Sequence, residues 1–164
     1  MDVDELEALS RSVGEALFAR RWILVTAESC TGGWIAKCVT DVPGSSDWFD
    51  RAFVSYSNPA KQEMLGVKPR SLERFGAVSG EVVAEMISGA LTRSTAQVAV
   101  AVSGVAGPAG GSPEKPVGLV WCGWGVQGAQ PDVQAFHFDG DREAVRRQTV
   151  AVALEGLLRV AAVG

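Results

Sequence analysis

Along the first turn of the chain and beyond it, Leu6, Leu9, Val13 and Leu17 recur at spacings of three and four. That is one apolar stripe, and it predicts an amphipathic helix over residues 4–20. The β-branched run Trp22-Ile23-Leu24-Val25-Thr26 predicts a strand, which breaks at Glu28-Ser29-Cys30-Thr31-Gly32-Gly33, where a second helix begins and runs to about Thr40. The Pro43-Gly44 pair marks a turn, and residues 49–57 read as a second strand with Phe53 and Val54 at its centre. Asn58-Pro59 follows at once. Asn is a good N-cap and Pro suits the first helical position, so a helix is expected there, with Lys61 in its first turn and its end near Gly66. Ser79 can cap a long helix whose face is Val82, Val83, Met86, Ile87, Ala90 and Leu91. The nearly unbroken apolar run over residues 97–102 predicts a central strand buried on both faces. A long loop rich in glycine and proline, from Gly104 to Gly118, leads to two strands over residues 118–126 and 133–138, joined by a turn at Gln130-Pro131-Asp132. Asp141 can cap a last helix carrying Val150, Leu154, Leu157, Leu158 and Ala161. This order mixes crossover units with a hairpin and predicts a layered α/β domain with a mixed sheet, one domain over residues 1–164.

Composition narrows the function. Of 164 residues, 47% are hydrophobic and 21% charged, which is enough apolar material for a full core. The net charge of -4 lacks the basic excess that holds a polyphosphate backbone, so nucleic acid is not an expected partner. The start Met1-Asp2-Val3-Asp4-Glu5 is acidic where targeting peptides are basic, and no apolar run approaches the ~20 residues that span a bilayer. A cytoplasmic protein with no membrane partner is the expectation. Cys30, Cys38 and Cys122 lack the paired short spacings of zinc sites and read as packed free thiols.

Few residues remain for chemistry. His137 is the sole histidine, and strand alternation places it opposite Phe136 and Phe138, toward solvent. A histidine-rich metal site cannot be assembled. The nucleophile elbow, the phosphate-binding P-loop and the complete dinucleotide fingerprint are all missing. Ser29, Thr31, Gly32 and Gly33 present hydroxyls and small residues at a helix N-terminus, which suits an anion or a developing oxyanion as well as an ordinary capped turn. Lys61 is the more informative residue. A cation in the first turn of a helix opposes the macrodipole at a cost of roughly 0.3–1 kcal/mol, and loss of water contact would further favour the neutral amine. A neutral amine can accept a hydroxyl proton. Ser45-Ser46 after Pro43-Gly44 offers a nucleophile for it, while Tyr56 ends the preceding strand. The loop containing Gly107 and Gly110 could wrap a ligand through backbone amides. Arg142, Arg146 and Arg147 could grip a phosphate or form a solvated basic face.

Taken in order, Thr26-Ala27-Glu28-Ser29-Cys30-Thr31-Gly32-Gly33, Pro43-Gly44-Ser45-Ser46, Val54-Ser55-Tyr56-Ser57-Asn58-Pro59-Ala60-Lys61, Gly76-Ala77-Val78-Ser79, Ser103-Gly104-Val105-Ala106-Gly107-Pro108 and Lys115-Pro116-Val117-Gly118 closely resemble the CinA C-terminal domain family. The resemblance covers residues 6–158. It implies an α/β/α layered domain, a cofactor-free and metal-free Ser/Lys hydrolase, and a homodimer. The implied reaction is hydrolysis of the carboxamide of nicotinamide mononucleotide to nicotinate mononucleotide and ammonia, a pyridine nucleotide salvage step. The family pattern maps the nucleophile onto Ser46 and the base onto Lys61, with Tyr56 and Ser29 in support. Substrate contacts are expected from Thr31, Gly32, Gly33, Ser103, Gly104, Gly107, Gly110, Arg142 and Arg146. The competing expectations are a non-catalytic nucleotide-binding module of the competence/damage-inducible type, and an amidase for another carboxamide.

Overall fold

In a computed structural model, which describes residues 1–163, a five-stranded mixed sheet carries helices on both faces. The elements are α1 (Val3–Arg20), β1 (Leu24–Glu28), α2 (Trp34–Thr40), a short 3₁₀ turn (Ser45–Asp47), β2 (Phe49–Val54), α3 (Asn58–Leu65), α4 (Pro69–Phe75), α5 (Gly80–Thr92), β3 (Val98–Gly104), β4 (Leu119–Val126), β5 (Asp132–His137) and α6 (Arg142–Ala162). The strand order is β2-β1-β3-β4-β5. β1 lies parallel to both β2 and β3, whereas β4 and β5 run antiparallel.

The pleat sorts the core into two layers. Leu24 of β1 and Val98, Val100 and Val102 of β3 join α1, α2 and α6 on one face. Val25 and Ala27 of β1, with Ala99 and Ala101 of β3, meet α5 and the buried residues Leu65 and Leu72 on the other. β3 is buried on both faces from Val98 to Ser103, as its continuous apolar run predicts. Trp124 of β4 packs against α6, and its indole N–H donates to Ala153 O at 2.9 Å. The close approach needs Gly156, because a Cβ there would sit 2.0 Å from the indole ring.

Several boundaries differ from expectation. β1 begins two residues later than Trp22, since its register is set by pairing with β2 and β3 rather than by β-branched content. The N-cap of α3 is Ser57, whose hydroxyl accepts from Ala60 N–H at 3.1 Å; Asn58 is already helical. The helix α4 was not expected, because only Ser71 and Leu72 of it are buried and so few anchors leave no readable stripe.

Two successive crossovers run in opposite directions along the sheet, the first leaving β1 and the second leaving β2. The chain passes through α2 to β2 on one side, and returns through α3, α4 and α5 to β3 on the other. The carboxyl ends of β1 and β3 therefore flank a topological switch point, the place where open α/β sheets leave a crevice.

Candidate active site

Ser29 is the first residue past β1. Its N–H donates to Val102 O at 3.1 Å, which holds it beside the end of β3. One strand over, Ser55 N–H donates to Glu28 O at 2.9 Å, and the chain then enters α3 under the Ser57 cap. These constraints place Lys61 one turn into α3, with its side chain directed back to the sheet ends. Lys61 Nζ lies 2.9 Å from Ser29 Oγ, 3.1 Å from Ser55 O and 2.9 Å from Tyr56 O.

The lysine is only 1% exposed. Burial disfavours its charged form and lowers its pKa from 10.5 to about 8, opposed weakly by Cys30. Its three neighbours then dictate how the proton is held. The two carbonyls can only accept, so the neutral amine directs its two N–H bonds at Ser55 O and Tyr56 O. The remaining lone pair faces Ser29 Oγ, where it accepts a hydrogen bond from the hydroxyl. In the ammonium form all three contacts are donated by nitrogen, and the Ser29 hydroxyl turns to Tyr56 O, 3.3 Å away. One proton on Nζ thus decides whether the serine is poised to lose its own.

The turn that carries Ser29 is held from two sides. Gly32 and Gly33 adopt φ of +59° and +102°, the region that suits glycine. Glu28, fully buried, accepts from Thr31 Oγ at 2.6 Å and Ile35 N–H at 2.9 Å through Oε1. Its Oε2 accepts from Ala36 N–H at 2.9 Å and Thr26 Oγ at 3.2 Å. From α6, Arg146 donates to Cys30 O and Thr31 O at 3.0 and 3.1 Å.

A cavity of about 230 Å³ opens over Ser29 and Lys61. Tyr56, Asn58, Ala77, Ser103, Gly104 and Arg142 contribute to its wall. Tyr56 is 59% exposed, and its hydroxyl lies 3.2 Å from Arg142 Nη2. Arg142 Nη1 in turn donates to Gly107 O at 2.7 Å, so the rim joins the α3 entry, the glycine loop and the start of α6.

Of the residues singled out in the sequence, the structure brings Ser29, Tyr56, Lys61, Ser103, Gly104 and Arg142 to this one cavity. It does not bring Ser46. Ser46 lies exposed on the 3₁₀ turn, close to the start of β1, where Leu24 N–H donates to Trp48 O at 2.9 Å. Lys61 lies at the far ends of the same parallel strands. The five steps from Leu24 to Ser29 span about 16 Å at the strand rise, so within the chain the expected Ser46–Lys61 pair does not form. Thr31 faces the interior, its hydroxyl bonded to Glu28. Arg146 is engaged by the turn carbonyls, Gly107 contributes its carbonyl to the rim, and Gly110 is exposed in the loop. Gly32 and Gly33 shape the turn without lining the cavity. Arg147 pairs with Glu143 at 3.0 Å. Glu28 stands in the motif that the sequence singles out but is not among its candidate site residues. An acidic residue closing an apolar run just before a helix start is the signal that marks it, because a carboxylate is stabilised there by free N–H groups.

Among the described residues, no group of three or more His, Cys, Asp or Glu has the arrangement to hold a metal ion. No helix there is long and apolar enough to cross a membrane. The three cysteines are buried and free, and burial pushes the Cys30 thiol up to about 12.

A family model described as the CinA C-terminal domain matches residues 6–161. The nicotinamide-nucleotide amidohydrolase PncC of Escherichia coli (strain K12) is 53% identical over 157 residues, which cover 96% of this chain and 95% of that protein. The protein of the same name from Pseudomonas putida is 53% identical over 158 residues, covering 96% and 98%. The crystal structure of the competence/damage inducible protein CihA from Agrobacterium tumefaciens matches with a TM-score of 0.92 at 44% identity, over 94% of each chain. A CinA superfamily protein from Klebsiella pneumoniae matches with a TM-score of 0.92 at 40% identity, over 96% of this chain and 98% of that one.

Proposed function

The chain belongs to the CinA C-terminal domain family, and on that basis we propose that it hydrolyses the carboxamide of nicotinamide mononucleotide, giving nicotinate mononucleotide and ammonia. Relatives named for this activity match over nearly their whole length. The observation that carries the chemistry is the buried amine of Lys61 lying 2.9 Å from Ser29 Oγ at the floor of the cavity.

In this reading Ser29 Oγ attacks the carboxamide carbon while its proton passes to the lone pair of Lys61 Nζ, and the carbonyl π pair moves onto oxygen. Lys61 then gives the proton to the amide nitrogen, the C–N bond breaks and ammonia leaves. The nicotinoyl group remains as an ester on Ser29. A water molecule next loses a proton to Lys61 as it adds to the ester carbon. The C–O bond to Ser29 breaks, and Lys61 returns the proton to Oγ. The substrate assists, because its pyridinium ring draws electrons from the carboxamide. The cavity takes the ring and its amide, and the ribose and phosphate extend past Tyr56 and Arg142 at the rim.

The test is ammonia release from nicotinamide mononucleotide by the purified protein and three variants. Ser29→Ala and Lys61→Met are expected to lower kcat by about 10³-fold or more, as loss of a nucleophile or its base does elsewhere. Ser46→Ala is expected to stay within about twofold of the parent. A dead Ser46→Ala with an active Ser29→Ala reverses the nucleophile assignment. Saturable binding with no ammonia formed leaves a binding module instead, and turnover of other carboxamides in preference to this one names a different amidase.

A further inference from the structure

Glu28 is the buried acid among the described residues, and the reaction above does not use it. Its side chain is fully buried, yet no cation pairs with it among the described residues. Its charge is balanced instead by four donors, and these lie on both sides of the Ser29 turn. Thr26 Oγ belongs to β1, Thr31 Oγ to the turn itself, and Ile35 and Ala36 N–H to the first turn of α2. The N-cap position of α2, Gly33, has no side chain to offer, so this carboxylate satisfies two of the free N–H groups that a helix start exposes. Two bonds to α2 and one to β1 make a clamp across a loop of five residues. Ser29 is the first residue inside it.

We propose that Glu28 is the positioning residue of the site: its carboxylate closes the β1–α2 turn on itself and thereby fixes Ser29 Oγ at hydrogen-bond distance from Lys61 Nζ. The proposal rests on Ser29 being the nucleophile and Lys61 its base. The physical reason for a carboxylate here is its acceptor-only character. Each oxygen receives one backbone N–H and one hydroxyl, and a neutral amide cannot repeat that pattern. In Glu28→Gln the NH₂ group must face either Ala36 N–H or Ile35 N–H, donor against donor, and the helix start is pushed away from the strand end. A nucleophile displaced by about 1 Å loses on the order of 10²-fold in rate.

The experiment measures kcat and KM for nicotinamide mononucleotide in Glu28→Gln, Thr31→Val and Thr31→Ser, with the folded fraction of each taken from thermal unfolding followed by circular dichroism. Per folded molecule, Glu28→Gln is expected to lose 10- to 100-fold in kcat with KM within about twofold of the parent. Thr31→Val removes one donor to the carboxylate and is expected to lose several-fold in kcat; Thr31→Ser keeps the hydroxyl and restores it. A role confined to stability would lower the unfolding temperature and leave kcat per folded molecule unchanged in Glu28→Gln and Thr31→Val, and that result overturns the proposal. Should Glu28→Gln fail to fold, the contrast between Thr31→Val and Thr31→Ser decides. Ser29→Ala, run alongside, separates the two claims. If it is active, the assignment of the nucleophile fails; if it is inactive while Glu28→Gln and Thr31→Val keep full kcat, only the positioning role fails.

Discussion

At the scale of single residues the decisive fact is where one proton resides. Lys61 with a pKa near 8 has about one molecule in ten in the neutral form at pH 7, and most of them neutral by pH 9. Only the neutral form directs a lone pair at Ser29 Oγ. The kcat/KM for ammonia release is therefore expected to rise about tenfold per pH unit below 8 and to level off above it. A rate profile flat between pH 6.5 and 8.5 would mean that this amine is not the base. The sequence already carried half of this. Lys61 could be picked out as a cation in the first turn of a helix, the unfavourable end of the dipole. Its partner could not, because Ser29, Ser45, Ser46, Ser55 and Ser103 all lie in turns or at strand ends and their spacing along the chain says nothing about distance in space.

At the scale of elements, the fold positions the site through contacts remote from it. α6 supplies Arg142 to the cavity rim and Arg146 to the Ser29 turn, and its seat on the sheet includes the close contact between Trp124 and Gly156. Gly156→Ala forces a methyl into the indole ring at a separation no relaxed structure accepts. It is expected to destabilise the protein by about 1–3 kcal/mol, read from a denaturant midpoint, as overpacking in a filled core does. A change below about 0.5 kcal/mol would show that α6 can slide at no cost. Most elements were legible from periodicity, because α1, α5, α6 and β3 each bury a long regular stripe or run. α4 was not, since a seven-residue helix anchored chiefly by Leu72 has too short a stripe to stand out.

For the whole molecule, burying an amine has a thermodynamic consequence. The folded pKa of Lys61 is lowered below its unfolded value, so between about pH 8 and 10.5 the unfolded chain binds more protons than the folded one. Stability contributed by this group is thus absent below pH 8 and gained as pH rises to 10.5. The difference between the folded and unfolded values corresponds to about 3 kcal/mol. The stability of the parent relative to Lys61→Met is expected to grow by about that amount from pH 7.5 to 10.5, measured by urea unfolding at several pH values. A constant difference would mean that water reaches the amine in the folded state.

The residue pattern alone was sufficient for the layered α/β architecture, for the central double-buried strand and for the family, because burial periodicity and clustered motifs are local properties of the chain. It was also sufficient to mark Lys61 as out of place. The pairing of that amine with Ser29, the removal of Ser46 to the opposite end of the strands and the engagement of Glu28 arise only when β1, β2 and β3 align their carboxyl ends. Parallel register sets those distances, and register is a relation between segments that no single segment encodes.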